Sequence, residues 1–138
     1  YHMTKSIKEE GVVRLFKSND EKYIDGGQKR DFVYVKDVAQ ITVEFLNNDI
    51  TGIFNVGSGE ANTWNDLAKA IFHALGKEPN IEYIDMPKDL AKTYQNYTCA
   101  DMTKLKSQMQ PETNVPKTPL GEAVKDYVQN YLLQGESW

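Results

Sequence analysis

The chain has 138 residues, 40% of them hydrophobic, and a formal net charge of -4. This length suits one globular domain over residues 1–138, able to bury roughly two-thirds of the surface its unfolded form exposes. Basic residues scattered singly in an acidic chain exclude a nucleic-acid footprint, and no apolar run approaches the ~20 residues of a membrane span. The expected partners are small molecules and further copies of the chain. The single cysteine, Cys99, has no partner for an internal disulfide and fits a reducing cytoplasm.

Tyr1 to Glu10 reads as the end of a helix, with Met3 and Ile7 one turn apart and Gly11 as its stop. Lacking an N-cap, the chain is expected to start inside a structural element of a longer protein. Tyr1 and Lys5 stand on one helix face, where a lysine can lower a tyrosine's pKa. That spacing recurs by chance, and here it reads as helix packing. Val12 to Phe16 alternates as a strand, with Arg14 opposite Val13 and Leu15. Lys17-Ser18-Asn19-Asp20 follows as a polar turn, and Gly26-Gly27 as a tight one.

Arg30 carries a fork of donors suited to a phosphate, although on residue type alone a surface ion pair is the plainer reading. Phe32 to Val35 reads as a buried strand. Asp37 then offers a carboxylate to the orphan N–H groups of a new helix. Val38, Ile41 and Phe45 recur at helical spacing until Asn47-Asn48-Asp49. Gly52 to Gly57 reads as a strand buried on both faces. Strand, helix and strand in that order predict a parallel crossover.

Gly57-Ser58-Gly59-Glu60-Ala61-Asn62 imitates a dinucleotide fingerprint. Asn62, however, occupies the position where a third glycine would allow close helix–strand packing, so a structural turn is expected. Thr63 and Asp66 predict a capping box for a helix with Trp64, Leu67, Ala68, Ile71 and Leu75 on one face, closed by Gly76. His2 and His73 stand alone, so no metal site is built. Pro79 leads into Ile81 to Ile84, a half-buried alternating strand. Met86 to Asp101 is polar with two tyrosines, which suits a loop laid over a ligand. Asp101 is expected to cap a short helix reaching Gln108. Pro111 to Pro119 reads as a connector, and Thr118 as the N-cap of a helix with Pro119 at its first position. Leu120, Val124, Tyr127, Val128 and Tyr131 form that helix's apolar stripe, and Gln134 to Trp138 a frayed tail.

Two stretches carry a resemblance. Arg30-Asp31-Phe32-Val33-Tyr34-Val35-Lys36-Asp37-Val38-Ala39 resembles a signature of the extended short-chain dehydrogenases/reductases that act on nucleotide sugars. Ile81-Glu82-Tyr83-Ile84, then Tyr94-Gln95-Asn96-Tyr97-Thr98-Cys99-Ala100-Asp101 and Lys104-Leu105, is most similar to the ADP-L-glycero-D-manno-heptose 6-epimerase family. The resemblance implies an α/β fold: the C-terminal, substrate-binding portion of an extended Rossmann-type enzyme, with short strands, several helices and the N-terminal cofactor half missing. It implies substrate contacts from Phe16, Lys17, Ser18 and Asn19, from Arg30 to the diphosphate, and from Tyr94 to the nucleotide end. Many relatives place a glycine near residues 16–19, and this chain has none there.

For the parent enzyme the resemblance further implies NADP-assisted inversion at C6 of ADP-heptose for lipopolysaccharide inner-core synthesis, by a cytoplasmic homo-oligomer. It places the catalytic tyrosine–lysine pair and the NADP site outside this chain. The chain alone is therefore expected to be inactive, with no catalytic and no cofactor-binding residue. The competing readings are a UDP- or dTDP-sugar epimerase or dehydratase, a freestanding non-catalytic sugar-nucleotide module, and a purely structural α/β domain.

Overall fold

Reciprocal bonds between Thr63 and Asp66 start the helix around which the larger core forms. The Thr63 hydroxyl accepts from the Asp66 N–H, and the Asp66 carboxylate accepts from the Thr63 N–H, both at 3.0 Å. A computed structural model of the protein describes residues 1–109, 115 and 117–135. In chain order the elements are α1 (His2–Glu9), β1 (Val13–Phe16), β2 (Lys29–Asp31), α2 (Val35–Leu46), β3 (Ala61–Thr63), α3 (Trp64–Ala74), β4 (Ile81–Ile84), α4 (Lys88–Ala91), α5 (Thr103–Gln108) and α6 (Leu120–Tyr127), which runs on into a π-helical stretch, Val128–Leu132.

Helix α3 buries Ala68, Ile71, Phe72 and Ala74 against Ile7 of α1, Val13 and Leu15 of β1, and Val128. Its reach ends at Gly76, whose φ of +66° lets the chain turn away. β1 pairs in parallel with β4, Val13 opposite Ile81 and Phe16 opposite Ile84. β2 pairs antiparallel with β3, Lys29 opposite Thr63 and Asp31 opposite Ala61. A second cluster joins Ile41 of α2 to Met102, Leu105 and Met109, with Phe45 and Phe54 against it.

Several expectations are corrected. The ladder lies at Lys29–Asp31, ahead of the expected strand from Phe32 to Val35, and α2 already begins at Val35. Only the two aromatic side chains of that run are anchored. The Phe32 ring meets Trp64 edge-on at 5.2 Å, the Tyr34 hydroxyl donates to Asp126, and Val33 and Val35 remain exposed. Gly52 to Gly57 forms no strand. Ile53 is 90% exposed, and its carbonyl accepts from Lys104 Nζ at 2.8 Å. The parallel pair is therefore β1–β4, and no crossover runs from Phe32 to Gly57. Asp37 does not cap α2. It is 8% exposed and accepts from the Thr118 N–H and hydroxyl, each at 2.7 Å. Thr118 is thereby taken from its expected role, and Pro119 stands at the N-cap of α6. Of β4 only Ile81 is half-buried; Tyr83 and Ile84 are each 40% exposed. The connector at 110–114 and 116, and the tail at 136–138, lie outside the described residues.

Asp31 ties three segments together. Its carboxylate accepts from the Ser58 N–H and hydroxyl at 2.7 and 2.6 Å, from the Gly59 N–H at 3.1 Å and from the Ala100 N–H at 2.9 Å. A Cβ on Gly57 would lie 2.5 Å from both Asp31 Oδ2 and Ala100 Cβ, so only glycine lets these segments close. Burial alone would raise the Asp31 carboxyl, but the bonds from Ser58, Ala100 and Gly59 outweigh it and hold the group below the ordinary carboxylate value.

Two outcomes follow for stability. Phe72, fully buried in the larger cluster, should lose about 3–5 kcal/mol on truncation to alanine, read as a shift of the urea midpoint at unchanged slope. Because the Asp31 value is lowered on folding, its contribution is complete above the unfolded value of about 3.9 and is lost as pH falls through the folded value. Asp31→Asn should lower stability at pH 7 by roughly 1.5–3 kcal/mol and flatten the acid limb of the stability–pH curve. An unchanged acid limb would show that another carboxylate carries it.

Candidate functional site

Arg30 sits in the middle of β2, opposite Asn62 of β3. Its guanidinium carbon lies 5.0 Å from the centre of the Tyr94 ring, and its Nη1 donates to the Lys29 carbonyl at 2.8 Å. Among the described residues no carboxylate lies within ion-pair reach of it. The adjacent Asp31 carboxylate is occupied by its four donors. Arg30 is thus a half-buried cation, stacked on an aromatic face, with guanidinium donors left for an anion.

The loop bearing Tyr94 is laid along β2. The Lys29 N–H donates to the Asn96 carbonyl at 2.8 Å, and the Thr98 N–H to the Lys29 carbonyl at 3.2 Å. Tyr94 in turn meets Phe16, the last residue of β1, edge-on with ring centres 6.5 Å apart. The end of β1, the middle of β2 and the Tyr94 loop therefore converge. Phe16, Arg30 and Tyr94, singled out from widely separated positions, stand together.

Lys17, Ser18 and Asn19 flank this group with their polar atoms engaged. Lys17 Nζ pairs with Asp85 at 2.8 Å, and that bond raises its pKa. The Ser18 N–H donates to Asp25 at 2.8 Å and its hydroxyl to the Asp20 carbonyl at 2.7 Å. The Asn19 amide donates to the Ala91 carbonyl at 2.9 Å, holding α4 just ahead of Tyr94. These residues shape the loop beside the site.

Sequence reasoning missed Gln28 and Trp64. Gln28 is 1% exposed and donates to the Lys17 carbonyl at 3.1 Å. Trp64, in the apolar stripe of α3, is half-buried and packs against the larger core cluster. Both line a cleft of about 220 Å³ with Leu15, Phe16 and Tyr94. An uncharged glutamine in a glycine turn carries no periodic signal, and the stripe position of Trp64 signals packing alone, so only the fold brings them here. A larger, mostly apolar cleft of about 680 Å³ lies between the Phe32–Lys36 segment and α6. Its ammonium, Lys36, is held by Asp126 at 2.8 Å.

Tyr1 and Lys5 line a separate cleft of about 330 Å³ along α1, none of whose walls belongs to the Arg30 group. The glycine turn at Gly57–Gly59 does not fit a dinucleotide. The Ser58 and Gly59 N–H groups serve Asp31, and the Gly57 N–H points to the Met102 sulfur at 3.2 Å. Among the described residues, no group of three His, Cys, Asp or Glu could hold a metal ion.

Residues 2–57 match the family model described as the NAD dependent epimerase/dehydratase family. The ADP-L-glycero-D-manno-heptose-6-epimerase of Nitratidesulfovibrio vulgaris is 50% identical over 127 residues, 91% of this chain and 38% of that protein. The solved ADP-L-glycero-D-manno-heptose-6-epimerase of Helicobacter pylori superposes with a TM-score of 0.71 at 24% identity, over 94% of this chain and 36% of that one. The dTDP-glucose 4,6-dehydratase of Bacillus anthracis superposes with a TM-score of 0.73 at 21% identity, over 99% and 40%. At these identities the superpositions establish the fold: a portion of the extended Rossmann-type architecture. By sequence the chain belongs with the NAD dependent epimerase/dehydratase family and is similar to a portion of ADP-L-glycero-D-manno-heptose-6-epimerases, spanning well under half the length of the relatives it matches.

Proposed function

We propose that residues 1–138 form the substrate-binding unit of an ADP-L-glycero-D-manno-heptose 6-epimerase. The observation that carries this reading is Arg30, a half-buried cation without an ion pair among the described residues, stacked on Tyr94 beside Phe16. A guanidinium so placed can bond two oxygens of a diphosphate, while the aromatic pair gives the adjoining nucleotide a face to pack on. In this role the chain's residues bind and orient; the redox chemistry belongs to the nicotinamide cofactor, NADP in this reading. The cofactor and the catalytic tyrosine–lysine pair lie in the part of the relatives' length that this chain does not span. The chain alone is then inactive, and the whole enzyme is a cytoplasmic homo-oligomer that serves lipopolysaccharide inner-core synthesis.

A UDP- or dTDP-sugar enzyme is the second reading, favoured by the equally good superposition on a dTDP-sugar dehydratase. The 50% identity to a heptose epimerase weighs against it.

Calorimetric titration of the full protein carrying this sequence with ADP, UDP and dTDP separates the two. ADP is expected to bind tightest. Arg30→Ala should weaken ADP by roughly 10- to 100-fold, the worth of a hydrogen bond to a charged group. Equal affinity of variant and parent would remove Arg30 from the site, and preference for UDP or dTDP would favour the sister enzymes.

A further inference from the structure

Helix α2 is apolar on two sides. Ile41 and Phe45 face the smaller core cluster. Val35, Ala39, Val43 and Leu46 follow one another by single turns on a second side, and all four are exposed. Leu46 is 81% exposed and Val35 63%. A helix with apolar residues on more than one side belongs inside a larger body. The segment that follows has the same character. Phe54 and Val56 turn inward, Phe54 onto Phe45 with ring centres 5.0 Å apart, while Ile53 turns out to solvent. That alternation is the pattern of a strand, yet among the described residues 53–56 make no backbone bond to any neighbour. Val35 joins this face to the cleft of about 680 Å³, which Phe32, Val33 and Leu120 also line.

The exposed stripe, the open backbone and the cleft ask for one kind of occupant. An open strand edge is satisfied by another polypeptide backbone, which offers N–H and C=O groups at strand spacing, and not by a small molecule. The 127 residues matched in the Nitratidesulfovibrio vulgaris epimerase make up 38% of that protein. In a full protein of such length, well over half of the chain is available to pack against this face. Tethering gives it a higher effective concentration there than a second molecule has. We propose that residues 53–56, the Val35–Leu46 stripe of α2 and the adjoining cleft form one docking face, which receives a strand and its apolar flanks from the part of the same full protein beyond residues 1–138. The docked segment runs directly into the Gly57–Gly59 turn that Asp31 holds, so the added part is joined to the Arg30 site through one short tie. The proposal rests on the length of the full protein and not on the reading of Arg30.

Amide hydrogen exchange on the full protein carrying this sequence is the first measurement. The amides of residues 53–56 should exchange about 1,000-fold or more slowly than in an unstructured peptide, as ladder amides do. A photoreactive residue in place of Leu46 then identifies the occupant, in a mixture of 14N- and 15N-labelled protein. The cross-link should join Leu46 to a position outside residues 1–138 with both ends carrying the same isotope. Retained protection of the Phe72 amide in α3 reports that the labelled protein is folded. Rapid exchange at 53–56 in the unmodified protein would overturn the proposal. So would cross-links that mix the isotopes, which assign the face to a second copy, or links confined to residues 1–138.

Discussion

The carboxylate of Asp31 holds the site in its shape. It lies between the last position of β2, the Gly57–Gly59 turn and the chain that follows Tyr94, and its four accepted bonds fix all three. Two consequences reach the candidate site. The Tyr94 loop is pinned at Ala100 as well as at Asn96 and Thr98, so an irregular segment acquires the rigidity of an extra edge on β2. The carboxylate nearest in sequence to Arg30 is also fully committed elsewhere. A guanidinium beside an idle aspartate would close on it as an ordinary ion pair; beside this one it keeps donors for an incoming anion.

The same economy of donors separates the glycine turn from the phosphate cradle it imitates. A cradle needs backbone N–H groups converging on empty space at a helix start. Here the helix start is already satisfied by Thr63 and Asp66, and the turn's N–H groups end on Asp31 and Met102. Glycine is required for a different reason, the close approach of Asp31 and Ala100 to Gly57. Identical residue spacing therefore serves packing here, and which outcome prevails depends on where a distant carboxylate falls.

This explains what could be read from the sequence. Signals closed within a few residues were legible: the capping box at Thr63, the α3 stripe ending at Gly76, and the alternation of β1. Arg30, Phe16 and Tyr94 came from the resemblance, and the fold brings them together. Short apolar runs misled, because a run such as Phe32 to Val35 or Gly52 to Gly57 fixes neither its partner nor its exposure. Asp37 and Thr118 misled for a related reason. Each is a sound local cap by type, yet they found each other across the chain, and a buried carboxylate gains more from two donors on Thr118 than from a frayed helix start.

Sequence and fold speak to different levels of the function. The backbone superposes about equally on a heptose epimerase and on a dTDP-sugar dehydratase, so the arrangement of strands and helices does not by itself distinguish the two. Choice among nucleotide sugars must then reside in side chains that the shared backbone does not dictate. Arg30 is a poor candidate for that choice, since ADP-, UDP- and dTDP-sugars all offer the same diphosphate. The cleft beside Tyr94 has different walls, in which Leu15, Phe16 and Trp64 stand with an Arg14 already paired to Glu10 and Glu82.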